Sequence, residues 1–226
     1  DGTVSGATWN ATGGYDGFGA YQFDGSNDYI ETTSNLSITG NDLWSIAFLL
    51  KYDDSSIVLN ENIISIGSAS SLAVAGLNQG SVYTNLAFNL WNAGYNENFN
   101  VGVDLRNMTH IVETYNGTAI KVYVNGDLKK TKTVTLSITD SPVRIGGRTG
   151  GYSGQYFKGT VDDVVIYNHT LSEEQILALN ASRSDLIVSQ ETTDGDVWQA
   201  CITPNDGQGD GDTNCSNNLT ILSSAP

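Results

Sequence analysis

Trp44, Ile46, Phe48 and Leu50 fall on one side of an extended run, with Ser45 and Ala47 on the other. That two-residue period is the signature of a β-strand with one face buried. Comparable runs recur at residues 62–68, 81–90, 99–105, 108–115, 119–124, 128–134, 143–146 and 155–167. Asn116-Gly117 and Asn125-Gly126 separate three of these runs, and Asn-Gly pairs accept the left-handed backbone that tight hairpin turns need. The pattern predicts a three-stranded antiparallel meander inside an all-β sandwich, because many short strands at this spacing must bury one face against a second sheet. A single short helix is expected. Ser172-Glu173-Glu174-Gln175 has the form of a capping box, and Ile176, Leu177 and Leu179 supply an apolar stripe. Its expected place is one end of the sandwich.

Beyond Ser182 the pattern changes, with further strand-like runs at 185–189, 197–203 and 218–222. The chain therefore divides into a large sandwich over 1–182 and a smaller unit over 183–226. Three strands cannot bury two faces alone, so the smaller unit is expected to need a partner sheet.

Composition narrows the picture. The 226 residues are 39% hydrophobic and 9% aromatic, enough for a packed core, and 25 glycines against 3 prolines make positive-φ turns the rule. Ten Lys and Arg against 25 Asp and Glu give a net charge of −15. Such a surface repels phosphate backbones and excludes nucleic acid as a partner. It suits cation binding or high-salt solubility, and most plainly resistance to aggregation. No apolar run approaches a membrane span, so no membrane insertion is expected of this segment. Asp1 is not an initiator and no signal segment leads the sequence, which reads as a mature or excised piece.

Cys201 and Cys215 flank a turn-rich stretch, and a hairpin folding about Gln208 sets them opposite one another. A cross-strand disulfide is the stronger reading, and a reduced buried pair the weaker. Eight N-x-Ser/Thr sequons, at Asn10, Asn35, Asn107, Asn116, Asn168, Asn180, Asn214 and Asn218, add to the case for an extracellular or cell-surface glycoprotein. Catalytic chemistry is not expected. The histidines, His110 and His169, are far apart, no two carboxylates show the E-x-D-x-E spacing of glycosidases on such sandwiches, and no G-x-S-x-G or phosphate loop occurs. Asp210, Asp212 and Asn214 form a D-x-D-x-N run, but Cys215 follows where a calcium loop wants glycine, and a plain acidic turn is the better reading. Trp91 and Tyr95, in the aromatic and polar stretch 91–98, are the candidate ligand-binding residues.

Several stretches carry a resemblance. Residues 21–30 (YQFDGSNDYI), 43–51 (LWSIAFLLK), 109–118 (THIVETYNGT), 121–126 (KVYVNG), 157–168 (FKGTVDDVVIYN) and 171–176 (LSEEQI) follow one another in the order seen in laminin-G-like domains of the concanavalin A-like lectin/glucanase superfamily. The chain resembles that family over residues 1 to about 180. The resemblance implies a concanavalin-like antiparallel jelly roll with 21–30 as an early strand pair. It also places Asp24, Asp28 and Asp162 where a structural Ca²⁺ would sit. By alternation Asp162 shares a face with Val164 and Ile166, so either a cation or backbone N–H donors from the 24–28 turn must satisfy it. The two readings stand level.

Residues 196–207 and 216–222 resemble the last strands of immunoglobulin-like repeats in archaeal surface proteins, in which a laminin-G-like domain is inserted. The resemblance implies a partial immunoglobulin-like sandwich whose first strands are missing here. Those strands are expected from a neighbouring copy or a preceding repeat. The expected function is a non-enzymatic structural or adhesive module of a surface or filament assembly. The alternative is a calcium-dependent glycan- or protein-binding module of a larger surface protein.

Overall fold

The computed structural model describes residues 2–53, 61–68, 71–77, 84–90, 95–149, 155–182, 187–204 and 209–222. They form two compact units, residues 1–180 and 181–226.

In the first unit the strands are β1 (Gly2–Ser5), β2 (Thr8–Asn10), β3 (Ala20–Asp24), β4 (Tyr29–Thr32), β5 (Trp44–Tyr52), β6 (Glu61–Ser68) and β7 (Ser71–Leu77). They continue with β8 (Asn85–Leu90), β9 (Tyr95–Asn100), β10 (Thr109–Tyr115), β11 (Ala119–Val124), β12 (Asp127–Thr133), β13 (Arg144–Ile145) and β14 (Lys158–Tyr167), before helix α1 (Glu173–Asn180). One antiparallel sheet runs β1-β4-β13-β6-β7-β8-β9 and the other β12-β11-β10-β5-β14-β3-β2. The expected meander is present as β10-β11-β12. Its two turns differ. Asn125 and Gly126 both take positive φ, as a two-residue hairpin needs. At Asn116-Gly117 only the glycine does, and the Asn116 side chain instead accepts the N–H groups of Thr118 and Ala119.

β5 is central and buried on both faces. Trp44, Ile46, Phe48 and Leu50 enter the core between the sheets, beside Ile111, Tyr115 and Val122. Its other face, at Ala47, is covered together with Val112 and Tyr123 by Leu171 and Ile176. The helix thus lies on the outer face of a sheet rather than at an end of the sandwich, because that face of β5, β10 and β11 is itself apolar. Its capping box is made: Ser172 N–H donates to Gln175 Oε1 at 2.8 Å, and Gln175 N–H to Ser172 Oγ at 3.2 Å. Leu177, expected in the stripe, points to solvent, and Ala178 is buried in its place.

Other expectations are corrected. β7 was not anticipated, since its sequence SLAVAGL carries little alternation to read. The expected strand at 99–105 is displaced, with β9 starting at Tyr95 and ending at Asn100. β3 and β4 do not pair with each other but belong to opposite sheets. Residues 2–10 form two strands in different sheets, broken at Gly6 with φ +75°.

The second unit carries a 3-10 turn at Ser189–Glu191, then β15 (Val197–Trp198), β16 (Cys201–Ile202), β17 (Asn214–Cys215) and β18 (Leu219–Thr220). The strand expected at 185–189 is not formed where residues are described. The backbone N–H of Val188 is taken by Glu191 Oε2 at 3.0 Å, which turns the chain. β15 pairs with β18 and β16 with β17, placing Cys201 directly opposite Cys215, and the two are joined by a disulfide.

Candidate functional site

The crossing at Gly6 decides what lies at one edge of the sandwich. β1 lines the rim of one sheet and β2 the rim of the other. A side chain at Gly6 would collide with Asp28 Oδ1, so the crossing stays tight. β2 then sets Trp9 opposite Tyr21, their rings edge to face with centroids 5.0 Å apart. Tyr21 faces Val161 of β14 in turn, while Ile30 and Ile145 come from the opposing sheet. With Phe23 and Val164 these residues bound a cleft of about 210 Å³ between the sheets, lined as well by Asp162 and Asp163.

The β2–β3 connection holds two more aromatics in the open. Trp9 is 56% exposed, Tyr15 63% and Phe18 73%. Burying such rings is worth about 1.5–3 kcal/mol each, so three left in solvent on one short segment stand out from scattered surface apolars. The segment is held in shape by its own polar groups. Phe18 N–H donates to Asp16 Oδ1 at 2.9 Å, Gly14 N–H to the Phe18 carbonyl at 2.7 Å, and Tyr15 N–H to Asp162 Oδ2 at 3.2 Å. Gly19 is required beneath Trp9, because a Cβ there would overlap the indole.

A β-bulge on β14 adjoins the cleft. The register of β14 on β5 slips between Asp162 and Val165, and Asp163 takes φ +48°. The extra residue overturns the alternation argument for Asp162. Val161 and Val164 both pack on the inner core, while Asp162 lies opposite Leu49 on the outer face. Its carboxylate is satisfied by the N–H groups of Tyr15 and Asp163, not by the 24–28 turn. Burial, and next the neighbouring carboxylates of Asp162 and Asp16, push the Asp163 carboxyl above its ordinary range. Among the described residues no lysine or arginine forms an ion pair with Asp16, Asp162 or Asp163.

The expected cation ligands are not gathered at one point. Asp24 is opposite Lys158, four residues before Asp162 on β14, a separation of about 13 Å along a strand. Asp28 accepts the Asp24 N–H at 2.8 Å and Asp24 the Ser26 N–H at 2.8 Å. Burial raises the Asp28 carboxyl, opposed by that Asp24 N–H. Among the described residues no group of three or more His, Cys, Asp or Glu side chains is placed to hold a metal ion. Trp91 lies outside the described residues. Tyr95 opens β9, paired with Leu90, and its side chain is outside what is described. Of the sequons, Asn35, Asn107, Asn116, Asn168, Asn214 and Asn218 are exposed, while Asn10 and Asn180 are half-buried. His110 is pressed under the helix end, where burial lowers its pKa and Asn180 bonds to it. The aromatics and acids of the β2–β3 segment were passed over in the sequence. Their signal was Trp9, Tyr15 and Phe18 spaced among Gly, Asn and Asp in residues 9–19, a stretch with no apolar period to bury them.

A family model described as the concanavalin A-like lectin/glucanases superfamily matches residues 24–177, more than half of the chain. The chain belongs to that superfamily. No curated protein sequence matches it. Among solved structures, it is similar to domain 4 of AbnA, a GH43 extracellular arabinanase from Geobacillus stearothermophilus, in complex with arabinotriose. The identity is 18% and the TM-score 0.61, over 79% of this chain and 87% of that one. The binding domain of Paraclostridial Mosquitocidal Protein 1 is similar at 16% identity and TM-score 0.63, over 80% of this chain and 47% of that one. Trypanosoma rangeli sialidase, in complex with 2,3-difluorosialic acid, is similar at 17% identity and TM-score 0.62, over 81% and 29%. This chain thus spans less than half the length of the latter two, and at these identities the likeness is one of fold.

Proposed function

We propose that the chain is a non-catalytic, extracellular glycan-binding module whose binding site is the Trp9 cleft. The observation that carries the reading is Trp9, half exposed at the edge of a cleft with an apolar floor, with Tyr15 and Phe18 exposed on the connection that follows it. Flat aromatic faces stack on the apolar faces of sugar rings, so the lining suits a carbohydrate. The arabinanase domain solved with arabinotriose supports it by analogy of fold. The Cys201–Cys215 disulfide favours an oxidising, extracellular setting, and no described helix is long and apolar enough to cross a membrane. The structural Ca²⁺ expected from Asp24, Asp28 and Asp162, and sugars on the sequons, are carried in this reading as expectations. Isothermal titration against panels of oligosaccharides tests it. At least one should bind, and Trp9→Ala should weaken binding about 10-fold or more, as for a stacking ring worth roughly 1–3 kcal/mol. A folded protein that binds no glycan, or binds equally well without Trp9, overturns it.

A second reading concerns the smaller unit. Val197, Ile202 and Leu219 are 60–72% exposed on two-stranded ladders, and such ladders are marginal without a covering layer. This favours a structural role in which strands of another copy or repeat complete the sheet. Both roles fit a surface adhesin.

A further inference from the structure

We infer that Asn116 carries an N-linked glycan whose first sugar is seated in a cleft between the β10–β11 turn and the start of α1. The inference draws on the extracellular setting proposed above and not on the Trp9 cleft. Asn116-Gly117-Thr118 is a sequon on a turn where Asn116 and Thr118 are both exposed. Asn116 Oδ1 accepts the N–H groups of Thr118 and Ala119 at 3.0 and 2.8 Å and the Thr118 hydroxyl at 3.0 Å. These bonds fix the amide and keep the hydroxyl that completes the sequon beside it. Nδ2, on the opposite branch of the planar amide, is engaged by no hydrogen bond among the described residues. Asn116 also lines a cleft of about 140 Å³, together with Thr114, Lys121, Tyr123, Thr170 and Glu173. The Tyr123 hydroxyl donates to Glu173 Oε1 at 3.4 Å, and Lys121 Nζ lies 3.7 Å from the same oxygen. The wall therefore offers donors and an acceptor to sugar hydroxyls.

The other sequons of the sandwich are less well placed. A glycosylated Nδ2 keeps one hydrogen and gains a ring, so the site needs open space beside it. Asn10 is half-buried with its Nδ2 against Gly13, and Asn180 is half-buried beside Gly126 and bonded to His110. Asn35 Nδ2 donates to Asp140 Oδ2 at 3.2 Å, and Asn107 Nδ2 to the Asp104 carbonyl at 3.3 Å. Asn168 is exposed, but Thr170 Oγ1, which completes its sequon, donates instead to the Tyr115 carbonyl at 2.8 Å. The modification is a glycosyl transfer from a sugar linked through phosphate to a lipid. Nδ2 bonds to the anomeric carbon as the carbon–oxygen bond to the phosphate breaks. The phosphate leaves with that electron pair, and one Nδ2 proton passes to a base of the transferase.

The test secretes the full chain from a eukaryotic host and maps the folded protein by glycopeptide mass spectrometry. Asn116 should be occupied in most molecules, with Asn10 and Asn180 bare. The glycans are then trimmed to the first sugar with an endoglycosidase. Thr118→Ala removes the sequon and should lower the melting temperature of this trimmed protein. The drop should exceed, by about 2–4 °C, that caused by the same substitution in chain made in bacteria without glycans. The comparison cancels the hydroxyl's own bond to Asn116. Thr118→Ser, which keeps the sequon, should retain the sugar and show no such excess. A bare Asn116 in a chain glycosylated elsewhere overturns the site, and an occupied Asn10 or Asn180 overturns the selection by burial. A sugar at Asn116 with no excess loss in Thr118→Ala overturns its seat in the cleft. A chain bare at every sequon overturns the inference and the glycoprotein expectation together. None of these outcomes bears on oligosaccharide binding at Trp9, which titration reads separately.

Discussion

Glu113 faces inward from β10, opposite Ile46 of β5 and Val122 of β11, and is only 5% exposed. Burial alone pushes its carboxyl up to about 8. The folded chain therefore keeps a proton that the unfolded chain releases near pH 4.5. Below that pH the acid is neutral in both states and its fit in the core is undiminished. As pH rises through the interval up to about 8, the stability linked to that proton is lost. The loss is roughly 3–5 kcal/mol in total, or on the order of 10 °C in melting temperature for a chain of this size. Glu113→Gln removes the titration. Its melting temperature should match the wild type at pH 4 and exceed it by about that amount at pH 8.5. Parallel pH profiles of the two proteins in thermal denaturation would show that Glu113 is not the group responsible. Nothing in the alternation of residues 109–115 marks Glu113 as a stranger to the core except its own identity, since Ile111 and Tyr115 fix that face as inward.

Elements were legible where large apolar residues recur at the strand period or cap residues mark an end, and obscure where backbone geometry intervened. β5, β10, β11 and the capping box of α1 follow from period and cap residues, because one face of each is bound to the core. The two-sheet split of residues 2–10 turns on Gly6, and the exposure of Asp163 turns on one bulged residue. Neither leaves a periodic trace in sequence, and a single slip moves every following side chain to the other face. The same backbone detail governs the cleft. Gly19 carries Trp9 above it with no room for a methyl group. Gly19→Ala should therefore tilt the β2–β3 segment and swing the indole outward. The expected result is a red-shifted tryptophan emission and at least 5-fold weaker glycan binding, with a stability loss of only about 1 kcal/mol because Trp9 is already half in solvent. Unchanged emission and affinity would mean that the segment accommodates the methyl group without moving Trp9.

Taken whole, the chain joins a well-buried sandwich to a unit whose described strands bury almost nothing. In the second unit Trp198 and Leu219 pair across β15 and β18, Cys201 and Cys215 across β16 and β17, and the disulfide is the strongest constraint on the hairpin. Closing a loop of 14 residues contributes about 3 kcal/mol in the chain-entropy account. Reduction should accordingly speed proteolysis within residues 197–222 while leaving cleavage in 1–180 unchanged; equal acceleration in both regions would count against a local role. The disulfide does not cover the apolar side chains, however. Ile202 and Leu219 remain open in a chain whose charge of −15 keeps copies apart. These two forces oppose one another, and salt weakens only the repulsion. If strands of another copy complete this unit, association measured by analytical ultracentrifugation should strengthen between 20 mM and 0.5 M salt, roughly the range over which the Debye length falls from about 20 to 4 Å. Ile202→Lys should abolish it without altering the melting of the sandwich. A monomer at both salt concentrations, or self-association that survives Ile202→Lys, removes strand completion by a second copy and leaves the glycan-binding cleft as the function to pursue.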